Sequence, residues 1–287
     1  MHSDKFGLSL GRLVVVDNGS SDASLTDLPR AFPLTVIKNS QNRGFAVACN
    51  QGAQGSKSDY LLFLNPDTCL YPDSLTNPIR FMEVPSNARV GVCGIRMVDE
   101  SGVSMVSCAR FPSLRIFVGE MTGLSRLFPT LFPPHLMTGA ECQQSREVDQ
   151  VIGAFFLVRR SVFELNGGFD ERFFVYFEEV DFSLRTFRQG YSSYYLADTR
   201  LYHRGGGSSH HVKAQRLFYS LRSRVQYGFK NFSVYEAVVL LVLTLTLELV
   251  ARLVLATFLA SKSKLSETVR AYGKLIYYLF KGAEWRS

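Results

Sequence analysis

Two short apolar runs that break abruptly into polar turns constrain this chain most. Leu13 to Val16 (LVVV) leads into Asp17-Asn18-Gly19-Ser20, and Tyr60 to Leu64 (YLLFL) leads into Asn65-Pro66-Asp67-Thr68. Runs of this length, rich in Val, Leu and aromatics and bounded by Asp, Asn and Gly, predict buried strands of the parallel-sheet kind. In open α/β sheets a ligand sits beyond the carboxyl ends of the strands. Asp17 and Asp67 both fall there, so an acidic, ligand-facing sheet edge is expected.

A longer block lies further on. Gly153 to Arg185 (GAFFLVRRSVFELNGGFDERFFVYFEEVDFSLR) opens on an apolar run, Ala154 to Val158, and passes a Gly167-Gly168 turn. It then sets Glu178, Glu179 and Asp181 within four positions, directly behind Phe173, Phe174, Tyr176 and Phe177. Carboxylates beside that much apolar surface are poorly solvated, which raises their pKa and suits them to proton transfer. Plainer readings stay open for each residue. Asn65-Pro66-Asp67 alone is an ordinary turn, and Asn18-Gly19 is a turn signal. Arg43 is equally a solvated helix-start arginine, Glu178-Glu179 an acidic first turn favoured by the helix dipole, and His203 a strand-end histidine bonded to backbone.

Taken in order, VVDNGS, NRGFAVACN, FLNPDT, GGFDE, EEVD and YHRGGGSS resemble the family 2 glycosyltransferases, and among them bacterial rhamnosyltransferases, over residues 12 to 210. The resemblance implies an α/β fold of the GT-A type, a Rossmann-like mixed sheet flanked by helices. It implies an inverting, metal-dependent transfer of a sugar from a dTDP- or UDP-linked donor, dTDP-rhamnose foremost, to a lipid-linked saccharide in cell-surface polysaccharide synthesis. Asn65-Pro66-Asp67 stands where the family carries a DxD-like motif. Asp67 is then the ligand for Mg²⁺ or Mn²⁺, with Asn65 in place of the first acid and His203 completing the shell. Asp17 would accept a hydrogen bond from the ring NH of a pyrimidine base, and Arg43 is a second donor-side contact. Glu179, second of the acidic pair it forms with Glu178, is the expected base. Asp181 is expected to pair with Arg185 four residues on rather than do chemistry. Gly205 to Ser209 reads as a lid or a linker.

One departure matters. Such enzymes begin with a strand ending in a Thr-Tyr-Asn-like turn and a helix, whereas only eleven residues precede Arg12 here. The first βα unit is therefore expected to be missing, which keeps an inactive, membrane-bound binding protein as the alternative. A nucleotidyltransferase is a weaker one, since it would need a Gly-rich, Lys/Arg-bearing loop near the first strand, and the sequence shows none.

The 287 residues carry a net charge of +7 without a nucleic-acid-like basic run. Part of the excess lies between Lys213 and Lys230, just before the most apolar segment, and points to an anionic membrane surface. Five cysteines without CxxC spacing read as free thiols in a reducing cytoplasm. The first twelve residues lack the apolar core of a secretory signal. Residues 1–210 are thus read as the transferase domain and 211–287 as a helical, membrane-associated region. Val234 to Ala260 is long enough to span a bilayer, and Glu248 and Arg252 are spaced to pair on one face. Its flanks are basic on both sides, so a shallow or hairpin-like insertion from the cytoplasmic face of the plasma membrane is expected. Helices are expected at Ser24–Arg30, Gly44–Gly55, Pro72–Phe81, Phe177–Gln189, Val212–Phe229 and Leu265–Phe280. Strands are expected at Leu34–Lys38, Val90–Met97, Gln150–Arg159, Tyr194–Ala197 and Arg200–His203. Arg110–Cys142, with four prolines and no clean period, reads as a flexible connection.

Overall fold

The computed structural model describes residues 8–22, 25, 28, 34–205 and 213–281. The helix expected at Ser24–Arg30, Leu25 and Leu28 apart, and the glycine run after Gly205 lie outside these residues. β1 (Leu13–Asp17) pairs in parallel with β2 (Leu34–Lys38), with Asp17 level with Lys38. α1 (Phe45–Ala53) packs on β1 through Gly52, where a Cβ would lie 3.5 Å from Val16 Cγ2. The LVVV strand is half-buried rather than buried, because among the described residues β2 is its one strand partner.

The chain then builds a mixed six-stranded sheet. In order come β3 (Tyr60–Leu64), β4 (Thr68–Leu70), α2 (Thr76–Glu83), β5 (Val90–Val98), β6 (Cys108–Ala109), α3 (Leu114–Thr122) and α4 (Leu124–Leu127). β7 (Arg146–Val148), β8 (Gln150–Val151), β9 (Phe155–Arg159), α5 (Arg160–Leu165), α6 (Glu178–Arg188) and β10 (Ser192–His203) follow. Across the sheet the order is β3-β9-β5-β10-β4, with β7 also on β10, while β6 and β8 pair separately. β10 is parallel to β5, but β9 is antiparallel to both β3 and β5. The expected parallel setting of YLLFL is thereby corrected: its partner β9 runs the other way. The double-sided burial holds for β9, whose Phe156 and Val158 pack with Val92 and Phe182 while Phe155 and Leu157 pack with Cys93, Ile95 and Leu201.

Several boundaries differ from expectation for local reasons. Residues 71–74 close a turn in which the Tyr71 N–H donates to Ser74 Oγ and the Ser74 N–H to the Tyr71 carbonyl, so α2 starts at Thr76 rather than Pro72. Arg110–Cys142 is not a structureless connection. Ser113 caps α3 by accepting from the Ile116 N–H, Phe117 and Met121 bury one face of it, and Gly123 (φ 76°) ends it. The strand expected at Gln150–Arg159 is broken at Ile152–Ala154, which separates β8 from β9. The two strands expected at Tyr194–His203 are one, β10, with Ala197, Asp198 and Thr199 left without partners on β5 between Leu196 and Arg200.

α7 (Lys213–Asn231) follows, then α8 (Val234–Leu243), a π turn (Thr244–Glu248), α9 (Leu249–Phe258) and α10 (Lys262–Phe280). Val234–Phe258 is one continuous helix, long and apolar enough to cross a membrane. It has no hairpin bend inside it: the chain reverses just after it, at Ala260 (φ 48°), and Ser261 caps α10. α7 is fastened to the sheet domain by Lys230, whose Nζ lies 2.5 Å from Asp170 Oδ2 and 2.7 Å from Asp181 Oδ1.

Candidate active site

Three loops at one end of the sheets hold the expected residues. The first follows β1. Hydrogen bonds from Ser20, chiefly from its hydroxyl and then from its N–H, hold the Asp17 carboxyl below its usual range. Asn18 beside it is a hub that sequence reasoning missed. Its amide donates to the Gly44 carbonyl (2.9 Å) and to Asn42 Oδ1 (3.0 Å), while its Oδ1 accepts from the Arg43 N–H (3.0 Å) and from Asn39 (3.1 Å). Arg43 is exposed and is thus positioned through its backbone. The sequence signal for Asn18 is its place in the strand-end turn beside Asp17.

The second loop follows β3. The Asn65 N–H donates to the Ala154 carbonyl (3.1 Å), and the Asn65 carbonyl accepts from Thr68 Oγ1 (2.7 Å). Asp67 Oδ1 lies 3.2 Å from Nε2 of His203, and the Asp67 carbonyl accepts from the Arg204 N–H (2.9 Å). Residues 136 positions apart meet because β4 pairs antiparallel with β10, with Thr68 level with His203. The other ring nitrogen of His203, Nδ1, is buried without a partner.

The third element is the start of α6. Glu178 is buried and Glu179 half-buried, and each has an Oε2 buried without a hydrogen-bond partner. Burial raises both carboxyls above the ordinary range, and the neighbouring Glu179 charge adds to the effect on Glu178. The same pair, after burial itself, raises the thiol of Cys49 on α1. Glu179 lies against the break between β8 and β9, where a Cβ on Gly153 would be 3.8 Å from its Cγ. The two residues ahead of the pair, Tyr176 (φ 67°) and Phe177 (φ 71°), both hold left-handed backbone. Such conformations are costly for aromatic residues and persist where the surroundings enforce them. Here the Val175 carbonyl accepts from Ser223 Oγ (2.8 Å), Phe174 stacks on Tyr219 and Phe177 packs on Tyr227, all three partners lying on α7. Asp181 is fully buried and pairs with Arg185 (2.8 Å) and Lys230 (2.7 Å).

Backbone contacts tie these loops together. The Phe45 N–H donates to the Phe174 carbonyl (2.6 Å), so the start of α1 abuts the segment that carries the glutamates. Asn50 of α1 donates to the Phe169 carbonyl (2.9 Å) and Glu171 Oε1 (3.0 Å) and accepts from the Phe169 N–H (2.9 Å), clamping the GGFDE turn. The first strand-end loop thus joins the segment that carries the carboxyl pair, and the second approaches the pair through Asn65, whose N–H is held by Ala154 next to the Gly153 that Glu179 lies against.

A mixed sheet with acids at the strand ends and a buried carboxyl pair behind them is the architecture of the site, and comparison with known proteins gives it a family. Residues 10–165 match glycosyl transferase family 2, and the chain belongs to that family. N-acetylglucosaminyl-diphospho-decaprenol L-rhamnosyltransferase of Mycobacterium tuberculosis is 27% identical over 223 residues, covering 71% of this chain and 70% of that protein. Rhamnosyltransferase WbbL of Escherichia coli K12 is 29% identical over 189 residues, covering 65% and 68%. Among solved structures, mannosyltransferase PcManGT from Pyrobaculum calidifontis, in complex with GDP-Man and Mn²⁺, has a TM-score of 0.51 at 16% identity, over 93% of this chain and 78% of that one. GalNAc-T7 with UDP, GalNAc and Mn²⁺ has a TM-score of 0.52 at 15% identity, over 76% and 41%. The fold is of the GT-A type, and the protein is a glycosyltransferase.

Proposed function

We propose that this glycosyltransferase is inverting and metal-dependent, and that it moves rhamnose from dTDP-rhamnose to a lipid-linked saccharide at the cytoplasmic face of the plasma membrane, in cell-surface polysaccharide synthesis. The observation that carries the reading is the Asp67–His203 couple, 3.2 Å apart, on a loop whose Asn65 bonds to Ala154, next to the Gly153 against which the desolvated Glu179 lies. The names of the Mycobacterium and Escherichia relatives support rhamnose, and the diphospho-decaprenol of the former supports a lipid-linked acceptor.

The residues fit a divalent cation. Asp67 and His203 offer a carboxylate and an imidazole 3.2 Å apart. That suits Mg²⁺ or Mn²⁺, which are commonly held by one or two protein ligands plus substrate phosphates. When bound, the cation would offset the charge that gathers on the departing diphosphate. Asp17 accepts from the ring NH of the donor's pyrimidine, and Arg43 and Asn65 border the donor. Glu179 takes the proton of the acceptor hydroxyl as its oxygen bonds to the anomeric carbon. The bond from that carbon to the diphosphate breaks, and the nucleotide leaves with the electron pair. Glu178, more deeply buried, keeps the neighbouring carboxyl poorly solvated.

A screen of nucleotide sugars for hydrolysis and transfer, with Mg²⁺, Mn²⁺ or a chelator, tests this. Cation-dependent turnover of dTDP-rhamnose is expected. A clear preference for another donor removes the rhamnose assignment, and full turnover in chelator removes the metal.

A further inference from the structure

The helix Val234–Phe258 has two opposite faces. One is seated on the protein along its whole length. Leu240 is buried among Phe117, Met121, Phe177 and Phe232, and its Cδ2 fills the space over Gly228, where a Cβ would come within 2.8 Å. Thr244 and Glu248, at the two ends of the π turn, both face Arg224 of α7: the guanidinium donates to Thr244 Oγ1 (3.1 Å) and pairs with Glu248, which also pairs with Arg252 (2.8 Å). Ala256 is buried near the far end. Of the three charges of this helix, Glu248 therefore points into the protein with Arg252 folded back onto it, and Glu236 sits in the first turn, bonded to Ser233.

The other face is bare. Val234, Val238, Val242, Val250, Val254 and Phe258 recur along one stripe and stand exposed, Val234 at 77% and Phe258 at 86%. The neighbouring α10 adds exposed Val269, Ile276, Tyr277 and Phe280. Its opposite side is buried on α7, where Ala271, Tyr272 and Leu275 pack with Phe218 and Leu221. An apolar surface of this extent marks an interaction site. Exposed Lys262, Lys264, Arg270, Lys274 and Lys281 border it, with Glu267 the one acid of α10. Aliphatic surface fringed by lysine matches the hydrocarbon and headgroup layers of an anionic leaflet.

We infer that Val234–Phe258 and α10 form a two-helix platform lying flat in the headgroup–acyl boundary of an anionic phospholipid leaflet, and that neither helix crosses the bilayer. The return of the chain carries this. α7 precedes the apolar helix and is fastened to the catalytic helix by Lys230, and α10 follows it and is buried against that same α7. A crossing would put α7 and α10 on opposite sides of the membrane. It would also strip Arg224 from Glu248 and leave the acid in hydrocarbon, which is costly. The platform deepens the proposed function by giving the site a fixed standing at the surface that holds a lipid-linked acceptor; its argument otherwise rests on the packing alone.

The test uses the full chain on vesicles of phosphatidylcholine with a third phosphatidylglycerol, in the absence of donor. Trp285→Phe removes the native indole, and Val234→Trp, Val242→Trp, Val250→Trp and Phe258→Trp place single indoles along the bare stripe. Quenching by lipids brominated at shallow or deep acyl positions reads their depth. All four are expected at one shallow depth, whereas deep quenching at the two central positions with shallow quenching at the ends would mean a span and overturn the platform. Val254→Asp should weaken vesicle partition about tenfold or more, as expected for one lost aliphatic contact. It should leave donor hydrolysis in buffer at the parent rate, so failure of the enzyme reading would show separately in that assay. Vesicle binding unchanged by Val254→Asp, or a dimer in lipid-free buffer that this substitution splits while vesicles fail to bind, would assign the face to something other than lipid.

Discussion

Glu178 is the more deeply buried acid of the carboxyl pair, and its unpartnered Oε2 makes its ionised form expensive. Its folded-state pKa is raised, so the folded chain binds this proton more tightly than the unfolded one. The penalty is absent below the ordinary value of 4.5, grows as pH rises through the window between the unfolded and folded values, and is complete above the latter. In metal-free buffer, Glu178→Gln is expected to raise unfolding stability by about 1–3 kcal/mol near pH 8 and by almost nothing near pH 4. A gain that does not vary with pH would place its origin in packing. The kinetic roles separate from this. Glu179→Gln should lower transfer by at least ~10²-fold, the scale for a lost base, with donor binding nearly unchanged. Glu178→Gln should lower transfer less, and the reverse order would make Glu178 the base. Asp67→Ala should abolish cation-dependent donor turnover while thermal unfolding stays near the parent; surviving cation dependence would locate the ion elsewhere. The raised pKa of Glu179 also moves the acid limb of the transfer profile above the ordinary carboxylate range, since the base must be ionised to act.

At the scale of elements, the strand-end acids are legible in the sequence because a five-residue run such as YLLFL is too short for a helix, and its abrupt end into Asn-Pro-Asp marks where the strand stops. The carboxyl pair is legible because four aromatics precede it. What pairs with what is not legible. The antiparallel β3–β9 contact depends on how residues 99–154 return, and prolines at 112, 129, 133 and 134 hide a helix whose buried Phe117 and Met121 are only four apart. The clamps were hidden too, because Asn18 and Asn50 work through backbone partners that no residue pattern announces. Gly44 shows how tight these joints are. It has φ 95°, and a Cβ there would fall 2.6 Å from the Phe174 carbonyl oxygen. Gly44→Ala is therefore expected to cost about 2 kcal/mol or more in urea unfolding, combining a left-handed penalty with a backbone clash. A loss under half that size would show that the start of α1 can move away from the glutamate segment.

Across the whole molecule, Lys230 is the charged point among the contacts by which α7 grips the transferase domain. Asp181 is fully buried and would keep only Arg185 as its cationic partner without it, and Asp170 would keep only Arg172. Burial works against ionisation of Asp170, but hydrogen bonds from Arg172 and Lys230 outweigh it and hold the carboxyl far below its usual range. Lys230→Met is expected to destabilise the chain by about 3 kcal/mol, the scale for breaking a buried pair on one side. The depressed Asp170 carboxyl stabilises above its unfolded pKa, so this loss should shrink as pH falls through the usual carboxylate range towards the depressed value. A pH-independent loss in thermal melts would point to packing on Phe173 instead.

The unpaired stretch in β10 gives slack along the longest strand among the described residues. Upstream of it, Ser193 to Leu196 keep step with Val92 to Ile95; downstream, Arg200 to Tyr202 keep step with Arg96 to Val98, and His203 with Thr68. The three residues between belong to neither ladder, and are pinned from outside by Ser145 on the Ala197 N–H and by Asn77 on Thr199. The imidazole is thus located by its own short ladder rather than by counting residues back to α6. Removing the exposed Asp198 should be absorbed, leaving cation-dependent turnover within a few-fold of the parent. One residue inserted between Arg200 and His203 cannot be absorbed, because a strand has a parity of two and the ring would emerge on the opposite side of the sheet from Asp67.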